Sequence, residues 1–226
     1  QAFGELVGLR HLLHPEDDWA RERVEAALSG SAGADNEWVA VGVAFAAGHL
    51  WEEPSYRARA TELLCQLVPR PSERVGHAVM AVYQTRDELP LDEAALRLLR
   101  DVGLHPDILV RSGVDESFFD HLLDAFVVDP ELVCRISEEV VRRRGAELQS
   151  VSQGLYLANS ALIDISLRLQ RSGGDFRRRG MELFEALLDL GVAEAINVAQ
   201  NNDLRLIPCG HPIRLPRRRR MGSGMK

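Results

Sequence analysis

The residue types that carry out chemistry are plentiful here, and their spacing decides what they can do. The chain has seven histidines, three cysteines and 34 carboxylates. His11 and His14 stand three apart, a spacing that can place two imidazoles on one helix face and begin a metal site. Glu16, Asp17 and Asp18 follow closely, but no third ligand sits at a matching interval. We read the pair as surface histidines beside a helix end. Cys209 and His211 form a second short pair, and one pair cannot close a tetrahedral zinc site without a C-x-x-C elsewhere. Asp120, His121 and Asp124 lie together in "DESFFDHLLD", the two acids four apart on one face. Carboxylates turn catalytic only when burial moves their pKa, so a solvated face is the plainer reading. "PEDDW" (Pro15 to Trp19) reads as acid at a helix N-terminus. H-E-x-x-H and G-x-S-x-G are both absent. No catalytic, cofactor or metal residues are assigned on this basis.

One compositional fact excludes whole reaction classes. The only lysine is Lys226, the last residue, so 26 of the 27 basic side chains are arginine. A Walker A loop places a lysine on nucleotide phosphates, and a Schiff base needs a lysine amine. Neither can be built within this chain. The arginines are scattered between acids over the chain, which reads as the codon usage of a GC-rich bacterial genome more than as a phosphate site.

Charge is distributed unevenly. The net charge is −7, yet residues 206–226 hold Arg214, Arg217, Arg218, Arg219, Arg220 and Lys226 with no acid. Subtracting those six leaves −13 on residues 1–205, which argues against the whole surface being a nucleic-acid platform. In the tail, Pro208, Pro212 and Pro216 recur at every fourth residue, which forbids a helix and predicts an extended segment. Arg217, Arg218, Arg219 and Arg220 are the one candidate contact for an anion or a partner, and "MGSGMK" reads as a fusion remnant. The organisation expected is a body over 1–205 and a Pro/Arg-rich tail over 206–226.

Cys65, Cys134 and Cys209 are odd in number and far apart, which fits a reducing cytoplasm rather than a disulfide framework. The longest apolar run, Trp38 to Trp51, has 14 residues and includes His49. A membrane span needs about 20 residues, so this run predicts a buried helix. Because the sequence opens on Gln1, we expect a fragment or a processed chain of a larger protein.

Two stretches 120 residues apart, "SYRARATELLCQL" from Ser55 and "DFRRRGMELFEAL" from Asp175, share aromatic-Arg-x-Arg-small-x-Glu-Leu. Counting from Tyr56, apolar or small residues fall at Ala60, Leu63, Leu64 and Leu67. Counting from Phe176, the same offsets give Gly180, Leu183, Phe184 and Leu187. These offsets span about 100° of a helix, one buried stripe. Ser55 and Asp175 are expected as the N-caps. The stripe recurs in full from Leu91 (Ala95, Leu98, Leu99, Val102), in part from Ala20 (Val24, Ala27, Leu28), and more weakly from Val133, where Ser137 interrupts Val140 and Val141. The starts at 20, 56, 91, 133 and 176 predict one helix each, with partner helices near 2–13, 37–52, 71–85, 115–128 and 151–171. A short closing helix is expected over 192–201. Helical units at this period are the mark of an α-solenoid.

On "LDEAALRLLRDVG" and "RRRGMELFEALLDLG", residues 1–203 resemble the HEAT and armadillo-like α-helical repeats. The resemblance implies an all-α solenoid of about five helix pairs in a continuous right-handed stack. Taken with the composition and the cysteine spacing, we expect a protein-interaction or scaffolding region of a larger bacterial protein, in the cytoplasm, with no cofactor and no membrane span. Two alternatives are kept. One is the C-terminal sensor region of a multidomain signalling or defence ATPase. The other is a HEAT-like DNA-repair glycosylase or nucleic-acid adaptor, the glycosylase working from clustered Trp, Arg and Asp and the adaptor from its basic tail.

Overall fold

Caps and breakers set the helix boundaries. The computed structural model describes residues 1–29, 34–70, 72–84, 91–106, 116–148 and 153–201. Within them lie eleven helices and no strand: α1 Ala2–Leu13, α2 Asp18–Leu28, α3 Ala34–Leu50, α4 Pro54–Leu67, α5 Glu73–Gln84, α6 Glu93–Leu104, α7 Glu116–Ala125, α8 Pro130–Leu148, α9 Gln153–Ser172, α10 Gly174–Asp189 and α11 Ala193–Asn201. Asp17 and Asp92 cap α2 and α6 by accepting from the Ala20 and Ala95 amides at 3.1 and 3.0 Å. Asp129 does the same for α8 through Leu132 at 2.9 Å, with Pro130 opening the helix. Each such cap satisfies an amide that the helix itself leaves orphaned, a contribution of about 1 kcal/mol.

The expected N-caps of α4 and α10 are corrected by the structure. The caps are Glu53 and Gly173, neither with a side-chain bond, and Ser55 and Asp175 lie one residue inside the first turn. Pro54 starts α4 because its fixed φ suits the first helical position and its missing N–H is not needed there. At the α9–α10 reversal, Gly173 and Gly174 take φ of 79° and 55°, which a side chain would strain.

The helices pack in two rows. α1, α3, α5, α7, α9 and α11 contact one another in chain order, and α4, α6, α8 and α10 do the same on the other side. Across the rows, α1 meets α2, α3 meets α4, α7 meets α8 and α9 meets α10. The starts inferred from the stripe fall at or within a few residues of the starts of α2, α4, α6, α8 and α10. The inferred partner helices fall on α1, α3, α5, α7 and α9.

The stripes form the seam between the rows. Leu63, Leu64, Leu98, Leu99, Leu183, Phe184 and Leu187 are all buried in one continuous apolar core. Ser137, which interrupts the stripe of α8, is buried too, and its hydroxyl donates to the Val133 carbonyl at 2.8 Å. That bond removes the cost of leaving a buried hydroxyl unsatisfied.

α3 is apolar almost all round because α1, α2, α4 and α5 all lie against it. Among the described residues no helix is long and apolar enough to cross a membrane. Small residues set the closest approaches. A Cβ on Gly42 would strike the backbone of Gly4 and Glu5, so α3 and α1 touch main chain to main chain. A Cβ on Gly180 would lie 2.7 Å from the Ser166 carbonyl and the Leu169 Cβ, so α10 lies equally close to α9.

Candidate functional site

The histidine pair separates on folding. His11 is half-buried on α1, and loss of water lowers its pKa below the ordinary value; Glu25 opposes this, while Arg21 and Arg59 add to it. His14 is exposed at the helix end, 3.6 Å from Glu16. Among the described residues no three of His, Cys, Asp and Glu gather closely enough to hold a metal ion.

The Asp120–His121–Asp124 group also divides. His121 is buried, with its Nε2 3.2 Å from the Tyr83 carbonyl and its ring tilted against Tyr83 at 6.0 Å. Asp120 and Asp124 are exposed on the other side of α7. Loss of water around Asp120 raises its carboxyl above the usual range; His121 offsets this and Asp124 adds to it. Two outward acids and an inward imidazole do not share a substrate.

The thiols are held in their neutral form. Burial, helped by neighbouring Asp101, pushes Cys65 up to about 12. Burial and the charge of Glu138 push Cys134 up to about 12 as well. A nucleophilic cysteine needs the opposite shift. Cys209, His211 and the run Arg217, Arg218, Arg219 and Arg220 lie outside the described residues.

The structure does assemble a system of arginines joining successive helix pairs. Arg57 on α4 donates from Nη1 to Asp92 Oδ2 at 2.6 Å, from Nε to the Trp51 carbonyl at 3.0 Å and from Nη2 to the Glu52 carbonyl at 3.1 Å. Its guanidinium lies over the Trp51 indole, 5.2 Å from the ring centre. Arg179 on α10 reaches back to α8, with bonds of 2.8 and 2.7 Å to Glu138 and 2.7 Å to Glu131. That contact holds the Glu138 carboxyl below its usual range. Arg59, at the same offset in α4, also reaches back, to the Leu12 carbonyl in the last turn of α1. Arg70 and Arg143 donate to the Leu28 and Leu104 carbonyls, the last residues of α2 and α6. These carbonyls lack partners inside their own helices, and cations suit a helix C-terminus.

The tryptophans share this arrangement. Arg23 and Arg10 lie 4.3 and 5.1 Å from the Trp19 ring centre, and Arg74 lies 4.9 Å from that of Trp38. Trp51 is buried, and its Nε1 donates to Thr61 Oγ1 at 2.9 Å. At the α1–α3 edge an open cleft of about 730 Å³ is lined by Gln1, Phe3, Gly4, Trp38 and Val39. Gln1 adds polar surface to its apolar and aromatic lining, and none of the five lining side chains is an acid, a base or a nucleophile.

Sequence reasoning leaves Arg57 facing either solvent or acids of the neighbouring unit, and the structure pairs it with Asp92; the contacts of Arg59, Arg70, Arg143 and Arg179 were missed. A signal existed: Arg59 and Arg179 sit at the same offset in two units, and Arg57 lies 35 residues before Asp92, one repeat length. No protein-family model, no curated protein and no solved structure matches the chain.

Proposed function

We propose that the chain is an α-solenoid of helix pairs, HEAT-like in architecture, and that it serves as a non-catalytic interaction or scaffolding region. The observation that carries this reading is the ordered two-row packing, with α1, α3, α5, α7, α9 and α11 in contact along one row, α4, α6, α8 and α10 along the other, and arginines bonded between successive pairs. Such stacking gives each unit contacts mainly with its neighbours and offers a long surface for a partner. The buried His121, the two neutral thiols and the outward Asp120 and Asp124 favour binding over chemistry.

The exposed indole of Trp38, under Arg74 and beside the α1–α3 cleft, is the anchor expected for a protein partner. Tryptophan and arginine dominate binding energy at interfaces. A photo-crosslinker at position 38 in cells tests the reading. A discrete adduct with one protein, competed away by excess purified chain, supports it. Turnover of a substrate by the purified chain, or only diffuse adducts, ends it.

A further inference from the structure

We propose that the outer face of α7 and the turn after it bind the basic segment 204–220 of the same chain. The inference uses the two-row packing and does not depend on the scaffolding role.

The face combines apolar and acidic side chains. Val127 is 82% exposed, the most of any large apolar side chain among the described residues, and Val128 is 51% exposed. The turn fixes both, since the Val128 and Asp129 amides donate to the Ala125 carbonyl at 3.0 and 2.9 Å. Asp120, Leu123, Asp124 and Val127 follow at steps of three or four residues, which places them on one side of α7 and its extension. Covering the two valines would remove apolar surface from water.

The acids on this face lack a cation. The Asp120 and Asp124 side chains are exposed and form no hydrogen bond or ion pair among the described residues. Like charges four apart on a helix repel, and Asp120 is partly desolvated as well. Acids on other helices meet an arginine: Arg178 bonds Asp175 and Glu182, and Arg168 bonds Asp164. α7 contains no arginine, and its one histidine, His121, turns inward. The chemistry that fits is a positively charged segment with apolar side chains between its charges.

Residues 204–220, outside the described residues, have that composition. They hold six arginines and no acid, with Leu204, Leu206, Ile207, Ile213 and Leu215 among them. Their reach is sufficient. α7, α9 and α11 are consecutive in one row, and α9 has 20 residues. Two helix spacings and the whole length of α9, about 20 and 30 Å, give a diagonal of about 36 Å. Residues 202–214 span about 43 Å when extended. Exposed Arg–Asp pairs are weak on their own. The covalent link holds the segment at an effective concentration on the order of millimolar, so a few such pairs and apolar contacts suffice for occupancy.

Disulfide trapping in the full chain tests the proposal. In a Cys209→Ser background, Leu215→Cys is combined in turn with Val127→Cys, Met181→Cys or Leu6→Cys, all three at exposed positions. The Val127 pair should close at least tenfold faster than the other two, in a product that keeps the 25.2 kDa mass of one chain. Adding Asp120→Asn and Asp124→Asn should slow that closure at least threefold. With the native cysteines, the same two substitutions should speed trypsin cleavage after Arg214 at least threefold, at unchanged helical circular dichroism. Equal closure at the three positions overturns the docking and leaves the helix-pair reading standing. So does closure or cleavage indifferent to the two acids. Disulfide-linked pairs of chains in place of closed single chains also overturn it, assigning the face to a second copy.

Discussion

Arg57 and Asp92 lie 35 residues apart and meet at 2.6 Å, tying the first turn of α4 to the cap of α6. Asp92 carries two loads there, one oxygen on the Ala95 amide and the other on the guanidinium. Asp92→Ala should therefore cost more than Arg57→Ala. We expect about 1–2 kcal/mol for the cap and ion pair together, against about 0.5–1.5 kcal/mol for the arginine. Urea unfolding of both single variants and the double variant measures it, and the coupling should be positive. Strict additivity would show that the contact contributes nothing.

Leu98→Ala and Leu183→Ala remove side chains that are fully buried in the seam between the rows. Each should lower stability by about 2–5 kcal/mol. Phe176 is only half-buried, so Phe176→Ala should cost less, about 1–3 kcal/mol. Equal losses at Phe176 and Leu183 would contradict the burial described.

Gly180→Leu should be severely destabilising because even its Cβ has no room against the Ser166 carbonyl and Gln170 amide of α9. Backbone on the far side cannot rotate away as a side chain can. Thermal melting of Gly180→Ala and Gly180→Leu should show a graded fall. A melting point unchanged in Gly180→Leu would mean that α9 and α10 are not in this contact.

Cys65 and Cys134, each pushed up to about 12, should be about one part in ten thousand thiolate at pH 8. In a Cys209→Ser background, both should react with a thiol reagent far more slowly in the folded chain than in denaturant. Rapid labelling of either in the folded chain would disprove the assigned environments.

Acid should weaken the fold through depressed carboxyls. The Arg179 bond holds Glu138 below its usual 4.5, the Ala20 amide lowers Asp17, and Arg142 lowers Glu139. A carboxyl with a depressed folded-state pKa adds stability that is full above its unfolded pKa and is lost as pH falls through the folded one. Stability should thus fall as pH drops from about 5 toward 3, and Glu138→Gln should flatten part of the slope. Because Glu138 is partly exposed, solvent screening keeps its share below about 1 kcal/mol. A slope identical in Glu138→Gln would remove this pair from the acid response.

The helices were legible in the sequence because their determinants are local. Ala95, Leu98, Leu99 and Val102 recur with the helical period, and prolines, glycines and aspartates mark the ends within a few residues. Even the close approach at Gly180 could be read, since a small residue repeats where Ala60 stands. The tertiary structure decided which polar residues have partners. Arg57 and Asp92, or Arg179 and Glu138, lie 35 and 41 residues apart, and only the angle and offset between two packed helices brings them within hydrogen-bonding distance. The same holds for His121: its sequence neighbours suggested a shared face with Asp120 and Asp124, but the packing of α7 on α5 turns it inward to the Tyr83 carbonyl. Periodicity along one helix sets which face is buried, while the partner of a side chain on that face depends on the neighbouring helix, which one helix's sequence does not contain.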